Sequence, residues 1–411
     1  MAAEELTLFQ PEEMGGVSLE EVIEAYYDCR RRKRNTINAL EFELDYEHNC
    51  IELWKELNEH RYKPRRSIAF VVDRPVKREI FAADFRDRVV HHLIARRIYP
   101  LLEAQFHPDS YSTQKGKGTL SGIQRIEQHL RNCSEGYTRD CYIMKLDIQG
   151  FFMSISKQRL YECIRQFLED RYLHQDLPML LYMLRKTIFN RPEVGCLRKM
   201  PRSRWNGLPR NKSLFGTDGS CGLPIGNLTS QLLALLLLDP LDHLITGEWG
   251  VPCYGRYVDD MVMIHPSKAH LMKVRERIRV WLASRDLTLH PRKMYLQHYR
   301  KGVMFIGGMI MPGRKYLSRR TTGRLYAAIY RYNQLLEESD TVSPQQVESM
   351  LATMNSYLGM MRHYDALNLF RRMLTRLSPQ WYCHVYFQRR GRCYKTVMRR
   401  PYGVEERVNY G

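Results

Sequence analysis

Apolar residues recur every three or four positions through residues 18–60, the spacing of one buried helix face, and predict helices there. "RSIAFVVDRPVKREIFAADF" (66–85) changes to alternation with β-branched residues, which predicts a strand pair. Helical spacing returns over 85–132. "CYIMKLDIQGFFMSI" (141–155) reads as a strand running into a turn, and 157–188 as helix. Residues 190–222 lose all periodicity and fill with Gly, Pro, Arg and Lys, as a loop-like insert does. An apolar helix is predicted over 227–245, with Asn227 or Thr229 near its N-terminal cap, and an amphipathic one over 267–286. Two strands flank "VDD", and further strands are predicted near "LTLH" and "KGVMFIGGMIM". Beyond residue 315 the pattern is helical, up to an aromatic and basic alternation around a Gly in "QWYCHVYFQRRGRCYKTVMR" (380–399) that reads as a hairpin. Between 141 and 310 this order is an α+β plan, a small antiparallel sheet backed by helices.

Charge narrows the class of partner. In 411 residues, 64 Lys and Arg face 45 Asp and Glu, a net charge of +19, and the excess is spread along the whole chain among its aromatic residues. That is the footprint of a polyanion partner, nucleic acid first and an anionic membrane second, against a merely soluble basic surface. A composition of 44% hydrophobic and 27% charged residues excludes a disordered chain. The ten cysteines form no CxxC pair and have no His cluster beside them, so they read as free thiols of a reducing compartment. The acidic start "MAAEELTLFQPEEMGG" does not read as a signal peptide, and "LLALLLLDPL" is too short and interrupted to span a membrane. A cytoplasmic protein with no membrane partner is expected.

One stretch does not fit a plain core. "YGRYVDDMVMIH" (254–265) sets Asp259 and Asp260 side by side in an otherwise apolar strand pair. Buried carboxylates are costly unless paired or holding a cation. Asp147, in "MKLDIQGFF", ends a second apolar strand and is the best third member. With no matching buried Lys or Arg expected, three such carboxylates point to divalent metal. Mg²⁺ takes hard oxygen ligands, and two ions can clamp an in-line displacement at phosphorus. One would lower the pKa of an attacking hydroxyl and the other would neutralise the leaving group. A turn or cap role explains any one of these aspartates alone, but not all three together with the charge.

These residues resemble a known family. "YVDD" (257–260) is similar to the catalytic turn of reverse transcriptases, "LDIQGFF" (146–152) to their first palm motif and "GLPIGNLTSQ" (222–231) to the next. "LTLHPRKM" (287–294) resembles the segment bearing a family Lys, and "FIGG" (305–308) the primer-grip turn. "REIFAADFRDRVVHHLI" (78–94) and "FHPDSYSTQKGKGTL" (106–120) resemble the fingers motifs of group II intron, retron and related bacterial enzymes. The resemblance covers roughly residues 60–310, in family order. It implies a right-hand polymerase fold: an N-terminal helical segment (1–59), fingers (60–145), a palm (146–310) interrupted by a fingers part and basic insert (165–220), and a helical thumb with the C-terminal basic and aromatic segment (311–411).

The resemblance also implies roles. Asp147, Asp259 and Asp260 would be catalytic and, with Ile148, hold two Mg²⁺ ions, with Mn²⁺ as substitute. Lys293 would protonate the leaving pyrophosphate; a strand-end surface Lys is the alternative. Phe152, five residues after Asp147, stands at the steric gate that rejects a ribose 2′-hydroxyl, unless it is simply core. Lys77 and Arg78 would close on the triphosphate, Arg by its planar fork, unless they are a solvated face. Ile225, Gly226 and Gln231 would complete the nucleotide site. Lys115 and Lys117 resemble a phosphate-contacting loop, with a surface turn as the alternative, and Tyr257, Phe305 and Gly307 would meet the primer. The pair His91–His92 reads as helix surface or a nucleic-acid contact.

One motif narrows the subgroup. Many reverse transcriptases read L-P-Q-G and then Ser-Pro; this chain reads Leu223-Pro224-Ile225-Gly226 and Ser230-Gln231. That form is similar to the enzymes of diversity-generating retroelements, which copy a template RNA with frequent errors opposite adenine, so that the cDNA rewrites a variable gene. The implied partners are template RNA, primer, cDNA, dNTPs and a small basic accessory protein. No maturase zinc, endonuclease or RNase H signature follows the thumb-like helices. A retron-like or defence-associated reverse transcriptase is the alternative function, and a non-catalytic nucleic-acid-binding scaffold the second; the intact Asp147, Asp259 and Asp260 speak against the scaffold.

Overall fold

The computed structural model describes residues 15–31, 36–73, 76–338, 341–391 and 393–399. The acidic start of the chain and residues 400–411 lie outside the described residues. Contacts divide the chain into two compact units. The first runs up to Gly118 and adds Lys145–Met263 and Ala269–Tyr295; the second holds Thr119–Met144, Ile264–Lys268 and the chain from Leu296 on.

The first unit opens on three helices, α1 (Leu19–Arg30), α2 (Ile37–Glu43) and α3 (Tyr46–Asn58). Ser18 starts α1 with a capping box: its hydroxyl accepts from Glu21 N–H, and the Glu21 carboxylate accepts from Ser18 N–H. Strands β1 (Ile68–Val72) and β2 (Arg78–Ala82) pair antiparallel, as their alternation predicts. The long helix α4 (Phe85–Gln105) then buries Val89, Val90, Leu93, Ile94, Ile98 and Leu102. The helical reading of 85–132 is broken here: residues 106–118 form a loop before α5 (Thr119–Cys133). Strand β3 (Tyr142–Asp147) ends at Asp147, and the short α6 (Phe151–Ser154), α7 (Lys157–Arg171) and α8 (Leu177–Ile188) follow. The insert is more ordered than its composition predicts. It contributes β4 (Leu197–Arg198), parallel to β1, and several single helical turns.

Helix α9 (Leu228–Thr246) is the apolar helix foreseen at 227–245. Among the described residues it alone is long and apolar enough to cross a membrane, but 72% of its most apolar stretch is buried inside the protein. Its buried run Leu232–Leu238 makes it a core helix. Asn227 takes the N-cap position without a side-chain cap bond. Thr229 is fully buried and hydrogen bonded to His91 Nδ1 at 2.7 Å. His91 is therefore core, not helix surface; the turn of α4 that carries it faces α9.

Strands β5 (Cys253–Tyr257) and β6 (Asp260–His265) flank the "VDD" turn, helix α10 (Lys268–Ala283) follows, and β7 (Tyr295–His298) completes a sheet of order β5–β6–β3–β7. "LTLH" is only a bridge, Leu289 opposite Ile148; the fourth strand forms later, at β7. A buried ion pair fixes β5. Arg256 Nε donates to both Asp242 oxygens of α9 (2.7 and 3.0 Å), and both side chains are fully buried. Tyr254 Oη donates to Asp242 at 2.6 Å, and Arg256 Nη1 to the Val258 carbonyl at 2.9 Å.

In the second unit, β8 (Val303–Phe305), β9 (Gly308–Met311) and β10 (Arg314–Leu317) form an antiparallel meander. Helix α5, expected with the fingers, belongs here. Ile123 lies so close to Gly308 that a Cβ on that glycine would meet its Cδ1 at 2.7 Å. Helices α11 (Arg319–Glu338), α12 (Pro344–Met361) and α13 (Leu367–Arg376) pack around Ile329, Met350, Met354, Met373 and Trp381. The foreseen hairpin is present as β11 (Val385–Arg390) and β12 (Cys393–Met398). Asn355 of α12 holds it, its side chain bonding the N–H and C=O of Thr396.

Two outcomes test this framework. Asp242→Asn strands the buried Arg256 charge and is expected to destabilise the fold by about 3–5 kcal/mol in urea melts. A loss below about 1 kcal/mol, the worth of an exposed pair, would contradict it. Burial, with His92 and Arg88 nearby, pushes His91 down to about 3. Between that value and the unfolded pKa of about 6.5, only the unfolded state binds the proton, so stability falls as pH drops through this window. His91→Gln should remove up to about 1.4 kcal/mol per pH unit from that slope; parallel curves for variant and wild type would contradict it.

Candidate active site

Three segments of the first unit build the site. β3 delivers Asp147 at its end, and the β5–β6 turn delivers Asp259 and Asp260. Residues 288–290 lie along the chain after Asp147: Gln149 N–H donates to the Thr288 carbonyl (2.8 Å) and His290 N–H to the Asp147 carbonyl (2.7 Å). That pairing brings Lys293 to the cluster, where Nζ donates to Asp147 Oδ2 at 2.8 Å. It also leaves the Ile148 carbonyl out of both bonds, while the Ile148 side chain is core.

The turn itself is strained. Val258 has φ +60°, a left-handed conformation that a β-branched residue avoids. The bond from Arg256 to its carbonyl holds it there.

The expectation of carboxylates without a matching cation is corrected. Lys145, two residues before Asp147 and on the same face of β3, donates to Asp260 Oδ2 at 2.9 Å, and its side chain is only 16% exposed. Two ammonium groups thus face three carboxylates, and Asp259 is the one for which no ion pair forms among the described residues. Burial pushes Asp259 up to about 6, and Asp147 and Asp260 add to the rise. Burial also raises Asp260, against the pull of Lys145. Among the described residues no group of three or more His, Cys, Asp or Glu is arranged to hold a metal ion as it stands. The donor chemistry nevertheless fits one. Hard carboxylate oxygens converge in a desolvated site where two lysine ammonium groups face three carboxylates, which leaves it short of positive charge.

A second group lies beside the insert. Of the adjacent phenylalanines, Phe151 packs inward at 2% exposure, while Phe152 is half-buried. Phe152, Ile225, Trp205 and Phe215 pack on one small core of Ala69, Phe81, Met153 and Leu214. Phe81 N–H donates to the Ile225 carbonyl at 3.2 Å, and Leu223 N–H to the Phe152 carbonyl at 2.8 Å. Gly226 has φ +119°, and a Cβ there would press Ile80 at 3.1 Å. Arg78 is exposed, but the Lys77 ammonium donates to the Asn206 carbonyl of the insert at 2.7 Å. Between them and the insert sits Glu79, which the sequence reading missed. It is 1% exposed and accepts from Trp205 Nε1, Ser213 Oγ and Leu214 N–H, all at 2.7 Å.

The remaining candidates separate. Gln231 is exposed and accepts from Thr113 Oγ1 at 3.0 Å, which ties α9 to the 106–118 loop. Lys115 and Lys117 lie in that loop; Lys115 N–H donates to Tyr99 Oη at 2.7 Å, and burial lowers Lys117. Tyr257 is half-buried at the end of β5. Phe305 and Gly307 belong to the second unit. Phe305 is fully buried, so its ring is core and not a primer contact; Gly307, at φ +89°, forms the exposed turn.

Among solved structures the chain is similar to apo telomerase from Candida tropicalis truncated from its C-terminal domain, at 14% identity and a TM-score of 0.44, over 62% of this chain. The chain spans about half, 55%, of that structure's length. No curated protein matches. Residues 76–310, more than half of the chain and all of the carboxylate cluster, match the family described as reverse transcriptase (RNA-dependent DNA polymerase), and the chain belongs to that family.

Proposed function

We propose that this chain is an RNA-directed DNA polymerase that copies the template RNA of a diversity-generating retroelement into error-prone cDNA. The observation that carries the polymerase reading is Asp259, a half-buried carboxylate raised first by desolvation and then by its neighbours Asp147 and Asp260, within the family's matched region. In this reading Asp147, Ile148, Asp259 and Asp260 hold Mg²⁺, or Mn²⁺ in its place. Bound there, the ions supply the charge that acidifies the primer 3′-hydroxyl and offsets the leaving pyrophosphate. Lys293, whose ammonium donates to Asp147, would give that pyrophosphate a proton. Arg78 grips the triphosphate as a bidentate donor. Phe152 blocks the 2′-hydroxyl, held by the Leu223 bond to its carbonyl. Lys115, Lys117 and Tyr257 contact template and primer, and a small basic accessory protein completes the assembly.

The retroelement assignment rests on Ile225 and Gln231. Ile225 has no side-chain donor or acceptor and packs among apolar residues, so it holds the incoming nucleotide by shape alone.

Two experiments test the proposal. Primer extension on an RNA template with Mg²⁺ should proceed for the wild type and fall by about a hundredfold or more for Asp259→Asn. Wild-type inactivity, or an unimpaired variant, would contradict the polymerase reading. Ile225→Gln restores a polar contact of about 0.5–1.5 kcal/mol, worth several-fold to tenfold in discrimination. The active variant should misincorporate less opposite template adenine. An unchanged adenine error rate removes Ile225 from the mechanism, and a low wild-type rate contradicts the retroelement assignment.

A further inference from the structure

The basic insert forms a pocket of about 280 Å³ that none of the roles above uses. Arg198, Arg202, Arg210, Trp205, Leu208 and Phe215 line most of it. Its aromatic wall is rigid. Trp205 is anchored by Glu79 and sits edge-on to Phe215 with ring centroids 6.2 Å apart, while Arg198 lies over the Phe215 ring at 4.6 Å. Ser213 Oγ and Leu214 N–H fasten the other side of the insert to the same Glu79 carboxylate. The pocket is therefore preformed on β2, and no carboxylate lines it. Aromatic faces beside guanidinium groups suit a nucleotide unit, a base to stack and a phosphate to pair. Charge beyond the pocket indicates more than one such unit. From residue 190 to 217 there are seven Lys or Arg and a single Glu. A free nucleotide needs only the arginines of the pocket, whereas Lys199 and Lys212 extend the charge as a strand of phosphates would require; Arg191 and Arg204 are already paired with Glu193 and Asp73.

We propose that this pocket binds an unpaired nucleic-acid strand, taking one base between its aromatic wall and its arginines while the rest of the insert follows the backbone. Trp205 and Phe215 share their small core with Phe152 and Ile225, so the strand bound there is the one that lies beside the candidate nucleotide site: template not yet copied. The binding of an unpaired strand depends on the insert alone, while naming that strand as template rests on the proposed function.

Fluorescence anisotropy tests it. The full chain is titrated with two RNA–DNA hybrids of identical duplex, one blunt and one with a ten-nucleotide 5′ RNA overhang. Wild type should bind the overhang hybrid at least about fivefold more tightly, and the double variant R202A/R210A should lose that advantage while binding the blunt hybrid as before. The salt dependence of overhang binding should become shallower by about 0.7 for each phosphate that the variant no longer neutralises. Both arginines are exposed, and a thermal melt confirms the fold. Equal affinity of wild type for both hybrids, or an advantage that survives in the variant, overturns the proposal. Displacement of the overhang by free dNTP at submillimolar concentration would assign the pocket to a mononucleotide and overturn it too. The binding readout needs no catalysis: an overhang preference in a chain that fails to extend primers would sink the polymerase reading and leave this one standing.

Discussion

The buried pair Asp242–Arg256 is the constraint on which the site depends. Two full charges removed from water are stable only with near-complete pairing, and here the carboxylate takes the guanidinium and the Tyr254 hydroxyl together. On its other side, Arg256 Nη1 donates to the Val258 carbonyl. One side chain thereby ties the core helix α9 to β5 and holds Val258 in a backbone conformation it would not adopt alone. The strain sits one residue before Asp259, so the fold stabilises the geometry that presents the carboxylates. The pair is better understood as a positioning device than as a source of net stability.

At the site itself, position and charge are set by different elements. The strand ends fix the aspartates, and two lysines moderate their repulsion: Lys145 from the same strand as Asp147, and Lys293 from the segment after α10. Asp259 is left as the carboxylate that burial and its neighbours push toward protonation. A desolvated carboxylate raised in this way favours either a proton or a cation. The proposed polymerase cycle would need the second, and Lys145 and Lys293 would then have to release their carboxylates to make room for it.

Much of this was legible in the sequence, for identifiable reasons. Strand alternation located β1, β2, β3 and the pair around "VDD", because period-two burial is local. The three aspartates stood out as charges in apolar runs. Lys145 was legible by the same rule, two residues from Asp147 on one strand face, but its partner Asp260 comes from another strand. Asp242 and Arg256 also lie in apolar runs, and their pairing is likewise a tertiary fact. Glu79 reads as one more charged residue of "KREIF"; only the folded insert shows what it accepts. "LTLH" misled because a bridge of one residue pair has the composition of a strand, and His91 because its burial comes from α9, far along the chain. Phe305 was assigned to the primer by its motif, while its burial follows from β8 packing in the second unit.

On the proposed function, Asp147, Asp259 and Asp260 would form a divalent-metal centre for nucleotidyl transfer. The most direct measurement is a crystal structure of the full chain with an RNA–DNA hybrid, a non-hydrolysable dNTP and Mn²⁺, read by anomalous diffraction. The account predicts manganese peaks bound by Asp147 and Asp259, with Lys145 or Lys293 displaced from its carboxylate. Bound nucleotide with no manganese at these aspartates, and both lysine contacts intact, would contradict it.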